Sequence, residues 1–592
     1  MLLYAKRSFR ASPRQLARGL RARTEVQPLP DLEEARRWLI ALGQVEQAVL
    51  DSSLGCGEQS TAATKAAADV FLAARAGSVG SASLRNSAGR LRIALQRLYW
   101  SLDERELVVR IPEGLAWYAL YPDSYAQTAE DWCRRFDRAG ADVSVVGLRS
   151  IGTTLAAVVA QALRWRGLDV SGSATVRPAG IAPFRRVELP PAIKPATHNI
   201  VVDEGPGLSG SSMVAVARAF LNAGADADSI HFFAGHGYGP GPSAGADAPE
   251  WWNSHRVWTT SPDSTFIGGR LLPDALASAA ETCAGEPANG PAEPLGTTGW
   301  QQLSGLRNLP SAVAPSIETP KKVVRLRSGR HVILKFAGLA PTSGRLRREG
   351  AQYRCCSRSS AWVSFEESRH GWVVTPWVEG RRLTAADASI AFVKDHLGPW
   401  IAAVSTEWLR PGELQDGISR IARALSAWAE MRDDRSSAAV IASMAERELA
   451  KIDAAPLPCY GDGRLAPHEW IREPSGNFRK VDAGGHDCDH TWVGRQPIAW
   501  DLAGAEVEWG LGHQCIGALH AVVQRLTGYA CSEETSAFYV AGYCAFRAAA
   551  AHYSAILSDD AEMRRHLRRA RECYERRLKA TLASFTTHSL VA

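Results

Sequence analysis

The stretch His198-Asn199-Ile200-Val201-Val202-Asp203-Glu204-Gly205-Pro206-Gly207-Leu208-Ser209-Gly210-Ser211-Ser212-Met213 limits the folds open to this chain more than any other. Its apolar run, Ile200 to Val202, has the branching of a buried strand and ends in two adjacent carboxylates. A loop of glycines and serines follows and opens an apolar helix pattern, Met213-Val214-Ala215-Val216-Ala217-Arg218-Ala219-Phe220-Leu221. A strand, a Gly/Ser loop and a helix in that order form a phosphate cradle. Loop N–H groups and hydroxyls converge where the helix N-terminus adds partial positive charge. The carboxylates of Asp203 and Glu204 need a different partner, either ribose hydroxyls or a magnesium ion.

Around this motif, strands and helices alternate from about residue 105. Leu107 to Pro112 reads as a strand, Ala126 to Phe136 as a helix and Val143 to Gly147 as a strand. Arg149-Ser150-Ile151-Gly152-Thr153-Thr154 follows as a second small-residue loop, then a helix from Leu155 to Arg166 and a strand from Ser173 to Val176. A Pro/Gly/Arg loop, Arg177 to Arg186, precedes the opening motif, and Ser229 to Phe233 is a further strand. Such alternation implies a parallel sheet with helices on its faces, and ligands then sit beyond the carboxyl ends of the strands. Residues 1–104 read as a helical extension, with Asp31 capping a helix that carries Glu33 and Glu34 in its first turn. Gly55-Cys56-Gly57 reads as a turn.

Length and composition bound the rest. The 592 residues suggest three or four domains, and 46% hydrophobic with 22% charged residues describes a soluble protein with ample core. A net charge of +6 over this length reflects scattered arginines; it suits anionic small substrates and gives little reason to expect nucleic acid. The eleven cysteines include no C-x-x-C pair, and the odd count argues against a disulfide framework. No apolar run is long enough to span a membrane. Lys6, Arg7, Arg10 and Arg14 have no apolar segment after them, so a cytoplasmic protein is expected.

Gly205-Pro206-Gly207-Leu208-Ser209-Gly210 formally fits the dinucleotide fingerprint G-x-G-x-x-G. Asp203 and Glu204 would then lie beside a pyrophosphate, an unfavourable like-charge contact, and the unit comes after another glycine loop. No lysine follows the last glycine, which excludes a Walker A loop. The stretch resembles instead the type I phosphoribosyltransferases, whose fingerprint is an apolar strand, two acids and a loop ending in Thr/Ser-Gly-x-Thr/Ser. The resemblance covers roughly residues 105 to 260. It implies that Asp203 and Glu204 hold the ribose of phosphoribosyl pyrophosphate (PRPP) and that Ser209, Gly210, Ser211 and Ser212 hold its 5-phosphate. It implies a pyrophosphate loop at Arg149, Ser150, Gly152 and Thr153, and a mobile catalytic loop carrying Arg185 and Arg186. Two departures stand out: the segment between the acids and Ser209 is about one residue longer than in many members, and it contains Pro206. A planar base as acceptor would stack on Trp117, Tyr118 and Tyr121, or on Trp251 and Trp252, which core packing would occupy just as well.

Residues 271–318, rich in Gly, Pro, Ala and Thr, read as a linker, after which the pattern restarts. Lys322 to Leu326 and His331 to Phe336 flank a Ser328-Gly329 turn as a hairpin, Trp362 to Phe365 and Gly371 to Thr375 read as strands, and the chain is chiefly helical from about 384. Further on, Tyr460-Gly461-Asp462-Gly463 leads through Pro467-His468-Glu469-Trp470 to Lys480-Val481-Asp482 and then Trp500-Asp501-Leu502-Ala503. This order resembles the aminoglycoside phosphotransferase branch of the protein-kinase-like fold. The resemblance implies Asp462 as catalytic base, Asp482 as magnesium ligand and Asp501 as a buttress of the catalytic loop. It also implies Lys335 on the second hairpin strand as the phosphate-binding lysine, Glu349 as its partner and Glu379, in Pro376-Trp377-Val378-Glu379-Gly380, at the adenine hinge. Tyr460 stands where the family has histidine, and Pro467 or His468 where it has a metal-binding asparagine. His468 is a poor substitute because magnesium prefers oxygen. The cluster His486-Asp487-Cys488-Asp489-His490 fits no common zinc spacing.

The expected molecule is therefore an α/β protein. A parallel-sheet phosphoribosyltransferase-like domain (105–270), with its helical N-terminal extension, precedes an α+β, two-lobed kinase-like domain (319–592). Its expected chemistry is phosphoribosyl transfer from PRPP to a nitrogenous base, with an ATP-dependent small-molecule kinase in the same chain and Mg2+ as cofactor. The alternatives are a PRPP or nucleotide sensor without turnover, and a chain in which only the kinase is active. Small-molecule substrates are the expected partners, and a homodimer is compatible with the sequence.

Overall fold

The two strand-rich regions fold into separate sheets, one parallel and one antiparallel. The computed structural model describes residues 8–77, 81–136, 141–296, 318–339, 366–367, 370–405, 408–409, 411–452, 457–458, 462–481 and 496–589. Helices fill the N-terminal extension as expected. The Asp31 side chain accepts a hydrogen bond from Glu34 N (2.9 Å) at the start of α1 (Leu32–Leu50), satisfying one of the N–H groups that a helix start leaves unpaired.

Leu107–Arg110 is a strand, but it does not join the parallel sheet. It pairs antiparallel with Ser8–Ala11 in a separate two-stranded ribbon. Only Val109 of it is buried, the burial of a ribbon, whereas strands covered on both faces read as continuous apolar runs. Two helices follow, α2 (Glu113–Trp117) and α3 (Pro122–Phe136).

The parallel sheet comprises β1 (Asp142–Leu148), β2 (Asp169–Val176), β3 (His198–Val202), β4 (Ile230–Phe233) and β5 (Arg256–Trp258), in the spatial order β2-β1-β3-β4-β5. Between strands run α4 (Ile151–Trp165) and α5 (Ser211–Asn222). Strand side chains alternate between two cores. Val143, Val145, Ile200 and Val202 join the core built with α1, α3 and α4. Val146, Leu148, Val201 and Phe232 pack with Met213, Val216 and Phe220 of α5 on the other face. This double burial explains why the strands carry so few polar residues.

One polar exception is His231 on β4, fully buried with its Nε2 3.2 Å from Nδ1 of His198 and flanked by Trp132 and Phe136. Burial, with His198 second, pushes it down from 6.5 to about 3. The folded chain therefore keeps this ring neutral in a pH range where the unfolded chain protonates it. Its contribution to stability is complete above about pH 6.5 and is lost as pH falls toward 3, at about 1.4 kcal/mol per pH unit. Denaturant unfolding at about pH 7 and about pH 5 should show the wild type losing more stability than His231→Leu between the two.

The segment expected as a linker begins with a folded element, α6 (Leu272–Ala284), whose Leu272, Leu276 and Ala280 are buried in the first core. The same alanine-rich composition that reads as linker serves a helix when one face is covered. Glu293–Pro294 then forms the edge of a second, antiparallel sheet, which continues through β6 (Lys321–Arg325), β7 (His331–Phe336), β8 (Trp372–Pro376) and Glu366–Glu367. The predicted hairpin is present, with Lys321 opposite Lys335. Trp362 to Phe365 lie outside the described residues.

This second sheet is docked onto the parallel-sheet unit. Leu339 N donates to Leu115 O of α2 (2.8 Å), Trp372 Nε1 donates to the Tyr121 hydroxyl (2.8 Å), and that hydroxyl donates to His370 O (2.8 Å). Gly338 has φ 106°, and a Cβ there would lie 2.8 Å from Ala116 O, so only glycine admits this approach.

Beyond β8 the chain forms a small sheet of Arg381–Arg382 with the hairpin β9 (Trp470–Arg472) and β10 (Phe478–Lys480). Helices surround it, among them Gly398–Val404, α7 (Ala499–Glu508) and α8 (Glu533–Leu557). Among the described residues no helix is long and apolar enough to cross a membrane.

Candidate functional site

The structure brings together two groups of candidate residues, one in each unit. In the parallel sheet the chain turns back between β1 and β3, since β2 lies on one side of β1 and β3 on the other. In doubly wound sheets that crevice is where ligands bind. Both small-residue loops open there, leaving the paired residues Gly147 and Val202. A Cβ on Gly147 would lie 2.2 Å from Gly152 O, and one on Gly152 would lie 2.8 Å from Val202 O. The two glycines thus let the start of α4 close down on both strand ends.

The acid pair is held from behind. The Asp203 carbonyl accepts the Tyr125 hydroxyl (2.6 Å), and Asp203 Oδ1 accepts the N–H of Glu204 (2.9 Å). Glu204 Oε2 accepts the N–H of Gly114 (3.0 Å) at the start of α2. Burial, then the Glu204 charge, raises the Asp203 carboxyl well above its ordinary range, and Arg185 opposes this. Burial raises Glu204 as well. Beyond them, Gly210 (φ 67°) turns the chain into α5, and the Ser209 and Ser211 hydroxyls meet at 2.8 Å beside Ser212. Thr153 Oγ1, in the facing loop, is buried without a hydrogen-bond partner among the described residues. The Arg149–Ser150 peptide is cis.

Other expected members are placed differently. Arg149 turns away toward the N-terminal extension, its Nη1 donating to Leu50 O and Asp51 Oδ1 (both 2.9 Å) and its Nη2 to Thr175 O (3.2 Å). Arg177 donates to the same Asp51. Arg185 is half-buried and Arg186 exposed, on a loop closed by the backbone pair Ala179–Arg186. Trp117, Tyr121 and Trp252 are core residues, Trp252 stacking on Phe232, which leaves them no free face for an acceptor base. Trp251 stacks on His255, and Tyr118 is half-buried. His236 went unnoticed in the sequence: its ring lies against Gly205 and 5.5 Å from the exposed Tyr238.

The second group centres on Asp462, which is fully buried. Its N–H and that of Gly463 both donate to the Asp501 carboxylate on α7 (3.3 and 2.8 Å), the buttress expected of Asp501. Carbonyls of the same loop are also taken. Gly463 O accepts Trp500 Nε1, Arg464 O accepts the Tyr543 hydroxyl of α8, and Leu465 O accepts Trp509 Nε1, all at about 3 Å. Four side chains therefore fix the loop that carries Asp462.

Asp462 Oδ2 accepts Trp400 Nε1 (3.1 Å) and lies 3.0 Å from the Lys480 ammonium, which also meets Glu469 Oε2 at 2.8 Å. Burial would lower Lys480; Asp462 and Glu469 outweigh it and hold the ammonium above the usual lysine range. Glu469, Lys480 and Trp400 were not expected here. The turn Ser475-Gly476 between Glu469 and Lys480 was the available signal, because a hairpin brings its two flanks together.

Lys335 is half-buried on β7, between Lys321 of β6 and Val373 of β8. Glu379 is exposed, past the end of β8. Glu349, Asp482 and the His486–His490 cluster lie outside the described residues. Burial first and Arg382 second push the His468 ring down to about 3, and an imidazole suits magnesium less well than an oxygen ligand. Among the described residues no group of three His, Cys, Asp or Glu side chains could hold a metal ion. With Lys480 between Asp462 and Glu469, that pair does not fit magnesium.

No protein-family model matches the sequence, and no curated protein matches it. Among solved structures, about half of the chain is similar to small-molecule kinases. They include the choline kinase LicA from Streptococcus pneumoniae (17% identity, 45% of this chain and 89% of that one, TM-score 0.32). A choline/ethanolamine kinase family protein from Mesorhizobium loti (14%, 52% and 99%, 0.31) is another. A third is an aminoglycoside phosphotransferase from Alicyclobacillus acidocaldarius (13%, 46% and 91%, 0.29). At these scores the side-chain geometry has to carry any functional reading.

Proposed function

We propose that the C-terminal unit transfers a phosphoryl group from ATP to a hydroxyl of a small molecule. The observation that carries this reading is the Asp462 loop, a buried carboxylate on a turn anchored by Asp501 and by three ring donors. Phosphoryl transfer asks for little covalent chemistry from a protein and much positioning. Asp462 would accept the acceptor hydroxyl's proton as that oxygen attacks the γ-phosphorus, and ADP would leave. Lys335, on a sheet with its core side buried, would neutralise phosphate charge. Removing that charge in Lys335→Ala should weaken ATP binding at least about tenfold, the worth of one charge-assisted contact. Calorimetric titration checks this, and equal affinity in the two proteins would contradict it.

A second reading concerns the parallel-sheet unit and is favoured by one placement: acid pair, serine loop and glycine loop share the crevice between β1 and β3. We infer that this crevice binds a phosphorylated ribose, with PRPP as the candidate, Asp203 and Glu204 taking its ribose hydroxyls and Ser209 to Ser212 its phosphate. Fold does not decide between an enzyme and a sensor. Pyrophosphate release from PRPP over a panel of nitrogenous bases distinguishes them: a transferase releases it with at least one base, and a sensor binds PRPP and releases none.

A further inference from the structure

The charges around Asp462 carry one step more. Asp462 and Lys480 are fully buried, and the Glu469 side chain nearly so. An ammonium has three N–H donors, and here each has an acceptor: Asp462 Oδ2 (3.0 Å), Glu469 Oε2 (2.8 Å) and Val481 O (3.3 Å). The Trp400 ring lies 5.8 Å from the same nitrogen and its N–H donates to the same Asp462 oxygen. Lys480 is held there by β-pairing, since it stands opposite Trp470 in the β9–β10 hairpin, next to Glu469.

We propose that the Lys480 ammonium is a built-in cation that takes the place of a divalent metal at the Asp462–Glu469 pair. Three reasons support the assignment. The ammonium completes its own hydrogen bonding and already gives both carboxylates a positive partner at 3.0 Å or less. A divalent ion within bonding distance of either carboxylate would stand within a few ångströms of the ammonium, and like charges repel strongly away from water. Magnesium also keeps several waters in near-octahedral geometry, and Asp462 Oδ2 is already taken by the ammonium and the Trp400 N–H. Asp462 is thereby fixed in orientation by a protein group, and Lys480 acts on the reaction through it as a positioning residue.

The proposal uses the phosphotransfer reading only to say what Asp462 does. Its test counts metal ions and needs no turnover, so the two readings succeed or fail separately. Manganese(II) binding to the full chain, followed by electron paramagnetic resonance, should give the same number of ions for wild type, Asp462→Asn and Glu469→Gln. Lys480→Ala leaves two buried carboxylates facing each other and should bind one more ion per chain, with a melting temperature that rises on adding manganese. Adding Glu469→Gln to Lys480→Ala should remove the extra ion. Loss of an ion in Asp462→Asn or Glu469→Gln would overturn the proposal, and so would a Lys480→Ala protein that gains none. Should Lys480→Ala fail to fold even with manganese, the comparison of wild type with Asp462→Asn still decides it.

Discussion

Asp462→Asn is expected to lower ATP-dependent phosphoryl transfer by about 10²- to 10⁴-fold while leaving ATP affinity close to that of the wild type. Asparagine keeps the shape of the side chain and can still accept from Lys480 and Trp400, whose donors now meet Asp462 Oδ2. The loop stays anchored, because its N–H groups and carbonyls are held by Asp501, Trp500, Tyr543 and Trp509. What is lost is the capacity to take a proton. Rate and affinity should therefore separate, and ADP formation beside an ATP titration reads both. A variant that loses both together, or neither, would show that the buried carboxylate is structural.

The second large effect concerns the other unit. Asp203→Asn with Glu204→Gln should weaken PRPP binding on the order of 10²-fold or more. Two hydrogen bonds from ribose hydroxyls to charged acceptors are worth about 1.5–3 kcal/mol each. The same change should not weaken the fold. Burial and, at Asp203, the neighbouring charge hold these carboxyls above their ordinary range in the free chain, so neutral amides remove a strain. Amide oxygens can also still accept from Glu204 N–H and Gly114 N–H. Calorimetry with PRPP beside denaturant unfolding separates the cases: weaker binding with unchanged or raised stability is expected, and equal binding would contradict the assignment. Binding lost together with stability would mean that the pair serves the fold.

Much of this was legible in the sequence where one local rule decides. The doubly buried strands β1 and β3, the Gly210 turn into α5, the Asp31 cap and the β6–β7 hairpin follow from short patterns. Asp501 was legible too, because its spacing from Asp462 carries a resemblance. What escaped depends on partners distant in sequence. Leu107–Arg110 is a fair strand by composition, yet its neighbour is Ser8–Ala11, and alternation does not name a neighbour. Arg149 sits in a loop that suits an anion, but Asp51 at the end of α1 reaches it first. Lys480 sits beside Arg479 in a short strand, and no local pattern marks it. Its role arises only when the β9–β10 hairpin folds it onto Glu469 and the helix Gly398–Val404 brings Trp400 over the pair. Leu272–Ala284 was obscured by composition, since alanine, serine and threonine suit a linker as well as a packed helix.

Phosphoryl transfer by the C-terminal unit requires that it hold ATP. Calorimetric titration of ATP into the Asp462→Asn protein asks this directly, because hydrolysis cannot confuse the heats. Saturable binding of about one ATP per chain, at an affinity within about twofold of that of the wild type for a non-hydrolysable analogue, is the predicted result. The absence of saturable binding in both proteins would contradict it.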